Sequence, residues 1–455
     1  MKTFESVNTI SIGLGGFCML IINGKIWTME EKTGVIDNGF VRIEGGKIAQ
    51  VGTMKELSFR LQNAQPEGGT SVDEQGNNDE DSLQENWKNT PKNNRGNNRK
   101  NNDKNQYEVL DAEGGWVMPG LIDAHCHVGI SEEKWGIIGD DCNEMTDPLT
   151  PQLRAVDGVN PMDPAFHDAI MGGITTVMTG PGSSNVVGGQ AVLLKTQGRC
   201  IDHMILKAPA AMKVAFGENP KVNYGDKDQM PGTRMAIAGM LRQELHKAQQ
   251  YAAAKNSGQN PEENFKLESY LPVIRGEIPL KAHAHRADDI LTAIRIAKEF
   301  GVKMTLDHCT EGHLIADEVA ASGFPVILGP HLSSRSKLEI QNLSFKTAGV
   351  MERAGVLFAI MSDHPVTLIR YLPLYAGLAV KQGLSMEGGL KALTIHAAKI
   401  CGADDRIGSI REGKDADLAV FTDNPMFTLT KTMYTVIDGK VVYDWKDEVK
   451  TATSK

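Results

Sequence analysis

Eight short apolar segments between residues 117 and 363 constrain the fold of this chain more than any other feature. Amphipathic helical patterns separate most of them and are clearest over 288–300, 311–321 and 368–382. Strands that alternate with helices in this way indicate a parallel (β/α)8 barrel. A doubly wound open sheet is the alternative, but no Gly-rich dinucleotide fingerprint follows an early strand. The candidate strands are 117–125, 174–179, 190–195, 210–216, 279–285, 302–308, 324–329 and 356–363.

Polar side chains with metal-binding chemistry stand at the ends of these strands, where the active site of a barrel lies. His125 and His127 end the first strand and share one face, so both can bind one ion. Taken alone, such a pair is a weak signal, and two ordinary histidines at a strand end are the favoured interpretation. The ends of later strands carry Lys213, His283, His285, His308 and Asp363. Convergence of all these groups on one rim predicts the centre of a metal hydrolase.

Both ends of the chain have the pattern of short antiparallel strands. A hairpin turn signal at 44–47 divides the strands of residues 19–53, and the segment 407–442 has a similar pattern of short β segments. We therefore expect one small β-sandwich domain, built from both chain ends, beside the barrel. The predicted domains are an N-terminal extension (1–18), the first sandwich part (19–64 and 106–116), an insert (65–105), the barrel (117–400) and the second sandwich part (401–455).

The insert 65–105 consists mainly of Asn, Asp, Glu, Lys and Gly. It has too few apolar side chains to offset the entropy of ordering, so we expect it to be disordered. Binding of nucleic acid by its basic half is the less favoured interpretation.

Composition limits the partners. The net charge of -9 argues against a general nucleic-acid surface, and we expect a small-molecule substrate, no nucleic acid, no membrane and a homo-oligomer. Six scattered cysteines without a CxxC pair favour free thiols in a reducing compartment. The apolar start lacks a small-x-small cleavage site, which disfavours a signal peptide. A cytoplasmic location is the expectation.

Several motifs together are similar to one known family. They are GGWVMPGLIDAHCH (114–127), LKAHAH (280–285), LDHCTEGH (306–313), FAIMSDHPV (358–366) and GSIREGKDADLAVF (408–421). This set resembles the amidohydrolase superfamily, in particular its imidazolonepropionase-like and prolidase-like branch. The resemblance runs from about Met19 to Asp444, apart from the insert.

The resemblance implies a β-sandwich beside the barrel and a centre of one or two divalent ions, with zinc as the expected metal. His125, His127 and Asp363 would bind the more buried ion, while His283 and His308 would bind the second. Lys213 matches the position of a carbamylated lysine that bridges both ions in related members. A carbamate is an anionic oxygen ligand, whereas an ammonium would repel two dications. Members with one ion lack this lysine, so its presence favours two.

The family pattern, a ligand followed by Ala, favours His283 over His285, although both can take part. His285 is then assigned to substrate binding. Deaminase relatives carry a glutamate three residues after the fifth-strand histidine, where this chain has Arg286. A cation cannot shuttle a proton as a carboxylate does, which disfavours deamination.

The expected reaction is hydrolysis of a C–N amide bond in a dipeptide, an N-acyl amino acid or a cyclic amide. Water activated by the metal would attack the carbonyl, and Asp363 would act first as general base and then as general acid. A role for Asp363 as ligand only is the alternative. His331 is a candidate catalytic group, and Arg286 and Arg335 are candidates for binding a substrate carboxylate, although surface ion pairs explain the arginines equally well. A deaminase, an ester hydrolase or a non-catalytic binding protein stays open.

The long acidic loop 131–160 is expected to form a pocket wall or lid. Its Glu144 and Asp147 are candidates for contact with metal or with a substrate amine. Solvated loop acids are the commoner case.

Overall fold

The computed structural model describes residues 18–63, 108–133 and 136–448, and its strands form two eight-stranded sheets. The predicted disordered insert 65–105 lies outside the described residues, as does all of the predicted N-terminal extension except Cys18. Cys18 begins the first strand, one residue before the predicted start.

The first sheet draws its strands from both ends of the chain. Its strands are β1 (Cys18–Trp27), β2 (Val35–Glu44), β3 (Lys47–Thr53), β4 (Glu108–Asp111), β5 (Trp116–Pro119), β14 (Leu418–Phe421), β15 (Thr432–Ile437) and β16 (Lys440–Asp444). The order is β16-β15-β14-β5-β1-β2-β3, with β4 paired to β1. The antiparallel pairing of β14 with β5 joins the two ends. The prediction that both ends build one β unit is confirmed, while the exact domain boundaries stay predictions.

The second sheet is the barrel. It contains β6 (Leu121–Cys126), β7 (Ile174–Thr179), β8 (Val187–Lys195), β9 (Ile205–Ala215), β10 (Leu280–Ala284), β11 (Met304–His308), β12 (Val326–Leu328) and β13 (Phe358–Ile360). The strands are hydrogen-bonded in chain order from β6 to β13. Residues that follow β13 are hydrogen-bonded to residues at the end of β6 and just after it: Asp363 N donates to His125 O at 3.2 Å, and His127 N donates to His364 O at 2.8 Å. These bonds join the first and last strands of the sheet. The predicted barrel fold is therefore confirmed.

Strand β8 departs from the prediction of a wholly parallel barrel, because it runs antiparallel to both β7 and β9. The segments on either side of it, 180–186 and 196–204, contain no α-helix. A parallel neighbour needs a crossover of a dozen or more residues, whereas a short loop returns the chain in the opposite direction.

The predicted strand 117–125 is wrong in its extent, because Gly120 divides it between β5 of the first sheet and β6 of the barrel. At Gly120 a Cβ atom would lie only 2.1 Å from Thr175 Oγ1. Glycine is therefore required where the chain passes from one sheet to the other.

The α-helices of the described residues are α1 (Met54–Asn63), α2 (Pro164–Met171), α3 (Glu218–Gly225), α4 (Arg234–Asn256), α5 (Phe265–Ile274), α6 (Ala287–Phe300), α7 (Ala316–Ser322), α8 (Lys346–Arg353), α9 (Leu372–Lys381), α10 (Met386–Ala392) and α11 (Ile395–Cys401). Helix α6 matches the predicted 288–300 closely. The predicted helices 311–321 and 368–382 each begin instead with a 3₁₀ turn, Gly312–Leu314 and Ile369–Tyr371. Within the described ranges, no helix has both the length and the apolar character needed to cross a membrane.

Buried charges tie the first sheet to the barrel. Lys195, at the end of β8, contacts Asp415 Oδ2 at 2.8 Å and Asp417 Oδ2 at 3.2 Å through its Nζ atom. All three side chains are nearly inaccessible to solvent, and such buried charges are tolerated when they are paired. This cluster fixes the first sheet to the barrel beside β8.

Candidate metal centre

Five predicted histidines converge at the ends of β6, β10 and β11. Neighbouring rings lie 4.3–5.4 Å apart between centroids. All five side chains are buried. They are His125, His127, His283, His285 and His308. The structure therefore brings together on one rim residues that are up to 183 positions apart in the chain.

Two of these rings are oriented by backbone carbonyls. His127 Nδ1 lies 2.8 Å from Gly180 O, and His308 Nδ1 lies 2.9 Å from Gly329 O. Because a carbonyl oxygen only accepts hydrogen bonds, we assign the proton to Nδ1 in both rings. In each neutral ring, Nε2 is then left with a lone pair for a metal.

Two further rings are oriented by side chains. His125 Nδ1 lies 2.7 Å from Asp307 Oδ2, and His285 Nδ1 lies 2.8 Å from Thr310 Oγ1. A carboxylate partner on the far ring nitrogen is the common arrangement behind a metal-binding histidine. When Nδ1 carries the proton in these rings too, their Nε2 atoms are available to a metal.

Burial keeps most of the cluster neutral, which is the metal-binding form of histidine. It lowers the pKa of His283 and of His308 well below the ordinary value, and it lowers the pKa of His285 to about 3. For His127 burial acts in the same direction, but Cys142 and Asp363 outweigh it and raise the pKa to about 10. The charged form of His127 is thus favoured beside Asp363 in the metal-free protein, and a metal that binds Nε2 would displace that proton.

Asp363 joins the first pair of histidines. Its Oδ1 lies 3.2 Å from His125 Nε2 and 3.3 Å from His127 Nε2. Burial would raise the pKa of this carboxyl group, but hydrogen bonds from the two rings hold it well below the usual range. The backbone of Asp363 has a φ of 54° and that of His308 a φ of 68°. Left-handed backbone at non-glycine residues is uncommon and is often found at functional sites.

Lys213 lies on β9 and is directed into the same cluster. Its Nζ is 3.4 Å from His125 Nε2, and its side chain is buried. Burial lowers the pKa of Lys213 to about 8. The amine is thus partly neutral near physiological pH.

Two ligand groups emerge from the geometry. In each of them the ligand atoms lie within 4.8 Å of one another: His125, His308 and Asp363 form one, and His283, His285 and His308 form the other. His308 Nε2 is buried and has no hydrogen-bond partner in the described part of the chain. Such orphaned polar atoms are rare in proteins, so this nitrogen fits a bound cation. His285, predicted to bind substrate, lies within a ligand group.

Asp307 and Lys281 form a layer behind the cluster that sequence reasoning missed. Lys281 Nζ lies 3.0 Å from Asp307 Oδ2 and donates to Ala124 O at 2.9 Å. Lys281 and His125 outweigh burial and lower the pKa of Asp307. The motifs LKAH and LDH contained the signal, since each places a charged residue one or two positions before a predicted ligand.

Replacement of Asp307 by Asn should weaken metal binding at His125 about 10- to 100-fold, the range for partners of ligating histidines. Chelator competition on the metal-loaded protein measures this affinity. Because the variant removes the negative charge that balances the buried Lys281, the double variant Lys281→Met/Asp307→Asn serves as the folding control. Unchanged affinity in both variants would refute an orienting role for Asp307.

The two predicted arginines belong to neither ligand group and are bound by other residues. Arg286 binds Asp288 through two hydrogen bonds of 2.9 and 3.0 Å, and Arg335 donates to the carbonyls of Gln341 and Leu343. Their assignment to substrate binding stays a prediction.

His331 packs beside Phe345, and its Nε2 is buried without a hydrogen-bond partner among the described residues. Burial and His313 lower its pKa to about 4.

The two predicted loop acids have partners of their own. Asp147 pairs with Lys266 at 2.7 Å, and Glu144 accepts a hydrogen bond from Thr146. The predicted roles of His331, Glu144 and Asp147 also stay predictions.

Comparison with known proteins gives consistent matches. Residues 278–443 match the model of an amidohydrolase family. The crystal structure of an amidohydrolase from Thermotoga maritima MSB8 is 37% identical, with a TM-score of 0.79 over 94% of this chain and 100% of that one. The amidohydrolase tasK of Hapsidospora irregularis is 28% identical over 365 residues, which are 74% of this chain but only 37% of that protein. The imidazolonepropionase of Mesorhizobium japonicum is 23% identical over 337 residues, 69% of this chain and 79% of that protein.

Proposed function

Because this chain belongs to the amidohydrolase superfamily, we propose that it is a metal-dependent hydrolase that cleaves a C–N amide bond in a small molecule. One observation carries the proposal: buried imidazole nitrogens, the carboxylate of Asp363 and the amine of Lys213 meet at the rim of the barrel. The substrate class is a dipeptide, an N-acyl amino acid or a cyclic amide.

Two ions fit the donor set. His125, His127 and Asp363 would hold the first ion, while His283 and His308 would contribute to the second. A carbamylated Lys213 would supply an anionic oxygen ligand beside His125. A bound divalent ion, zinc in this proposal, makes water nucleophilic near neutral pH and polarises a carbonyl group.

Asp363 moves the proton in this proposal. Its backbone N–H donates to His125 O, which fixes the carboxylate beside the two first-strand imidazoles. In the metal-free protein the two rings already favour the ionised form of this carboxyl group, which is the form that can accept a proton from the attacking water. The same group then gives the proton to the departing amine.

The residue at position 286 disfavours deamination. A deaminase would need a carboxylate there to shuttle protons, whereas this chain has the guanidinium of Arg286, which is bound to Asp288.

A screen of the metal-loaded protein against dipeptides, N-acyl amino acids and cyclic amides tests the proposal. We expect turnover of one of these classes, its loss on chelation and its return with zinc. About two ions per chain and a dependence on bicarbonate would support the bridged centre. Binding of amides without turnover by the folded, fully loaded protein would refute the hydrolase assignment, and turnover of aminated heterocycles alone would replace it by deamination.

A further inference from the structure

Glu339 is a buried carboxylate that the mechanism above does not use. It lies on the 3₁₀ turn Leu338–Ile340, after β12, and its side chain is 1% exposed. Its Oε2 accepts the backbone N–H of Glu218 at 2.8 Å. Its Oε1 is buried and accepts no hydrogen bond from any described residue. A carboxylate oxygen left unpaired in the interior is costly, so this atom requires an explanation.

The free oxygen faces two of the clustered imidazoles. Glu339 Oε1 lies 3.9 Å from His283 Nε2 and 3.8 Å from His285 Nε2. These distances are too long for a direct hydrogen bond. Ligand atoms around a tetrahedral zinc ion lie about 3.3 Å apart, so a small side-chain movement would place all three atoms around one cation.

The position of Glu339 is set by backbone rather than by flexible side chains. Gly217 has a φ of 83°, and a Cβ at this position would lie 2.7 Å from Glu339 Oε2. The absence of a side chain at Gly217 therefore leaves room for the carboxylate, while the amide of Glu218 holds it. Lys337 Nζ lies 3.9 Å from Oε1 but also donates to Asn219, and its side chain is 39% exposed. A partly solvated lysine at this distance does not satisfy the buried oxygen.

We propose that Glu339 and His285 are ligands of the second ion, which completes a set of three imidazoles and one carboxylate. The set is His283, His285, His308 and Glu339. His285 is suited to this role because Thr310 holds its Nδ1 and leaves Nε2 facing Glu339. The inference rests on the proposed function, since it assigns ligands within the same centre.

The Glu339→Gln variant of the full chain tests this proposal. The variant is titrated with Co²⁺, and binding of the ion is measured by equilibrium dialysis and by visible absorption. Glutamine keeps the shape and the acceptor for the Glu218 amide but removes the anionic ligand. We expect the affinity of the second ion to fall more than about 100-fold, beyond the effect of residues that only orient a ligand. The first ion should bind as in the unaltered protein, with its own absorption bands retained.

Glu311→Gln is the matched control. Glu311 is also buried, but both of its oxygens already accept hydrogen bonds of 2.8 Å, one from Ala287 N and one from Asn342 Nδ2. The control should bind two ions like the unaltered protein. His285→Gln should reproduce the loss of the second ion.

Two results would overturn the ligand assignment: Glu339→Gln binding both ions within threefold of the unaltered protein, or Glu311→Gln losing the second ion to the same extent. Either result would leave amide hydrolysis by the unaltered protein untouched. Failure of the unaltered protein to bind metal would instead overturn the proposed function.

Discussion

Replacement of Asp363 by Asn is expected to lower kcat/KM for the amide substrate by about 10³-fold or more. General acid–base catalysis contributes about 10²- to 10⁴-fold, and the variant also loses an anionic contact to His125 and His127. Steady-state kinetics on protein reloaded with zinc, with metal content measured in parallel, separates loss of proton transfer from loss of the ion.

The fold should survive this change. Asp363 has a φ of 54°, and Asn is one of the few residues that adopt this left-handed conformation readily. Asp228 has the same φ and is exposed to solvent, so Asp228→Asn is a control with the same chemistry in the same backbone conformation. Retained turnover in Asp363→Asn with two ions bound would remove Asp363 as the proton carrier. Loss of turnover in Asp228→Asn would show that the substitution itself is damaging.

The eight-stranded barrel could be predicted because most residues of each apolar segment are buried, so its hydrophobicity indicates a strand. Strand direction could not be predicted in the same way. Strand β8 is almost wholly buried, like the parallel strands β6 and β7, and only the lack of an α-helix on either side reveals that it runs in the opposite sense. The length of the connections therefore carried information that the strands did not.

The candidate site shows where the alternation rule fails. Neighbouring residues of a strand normally face opposite sides, which would exclude either Asp307 or His308 from the centre. Both contact His125: Asp307 by a hydrogen bond and His308 by its ring. The left-handed φ of His308 redirects its side chain at the end of β11. Strand periodicity contains no information on such a local departure.

Glu339 was missed for a different reason. It belongs to a turn beyond the seventh strand, and in the sequence it is one of many loop acids. Its burial depends on the approach of residues 217 and 218 from the end of β9, a contact over more than 100 positions. Single-sequence reasoning finds groups at strand ends but not those that distant loops enclose.

Replacement of His308 by Asn is the second change expected to have a large effect. His308 belongs to both ligand groups, and its Nε2 has no protein partner among the described residues. We expect the number of bound ions to fall from about two to about one, and kcat/KM to fall by about 10²-fold or more, because the second ion no longer polarises the carbonyl. Asn again tolerates the φ of 68° at this position.

Thermal unfolding with and without zinc distinguishes lost metal binding from a damaged fold. Free metal at 100 times its dissociation constant stabilises a protein by about 2.7 kcal/mol, and a 100-fold weaker site gains only about 0.4 kcal/mol under the same conditions. The metal-free His308→Asn variant should therefore unfold close to the metal-free unaltered protein, while the part of the zinc-induced rise in Tm that comes from the second ion is lost. His246→Asn, which removes an exposed imidazole on α4, should keep the full rise. If zinc stabilised His308→Asn as strongly as the unaltered protein, His308 would not be a ligand, and the orphaned nitrogen would need another explanation.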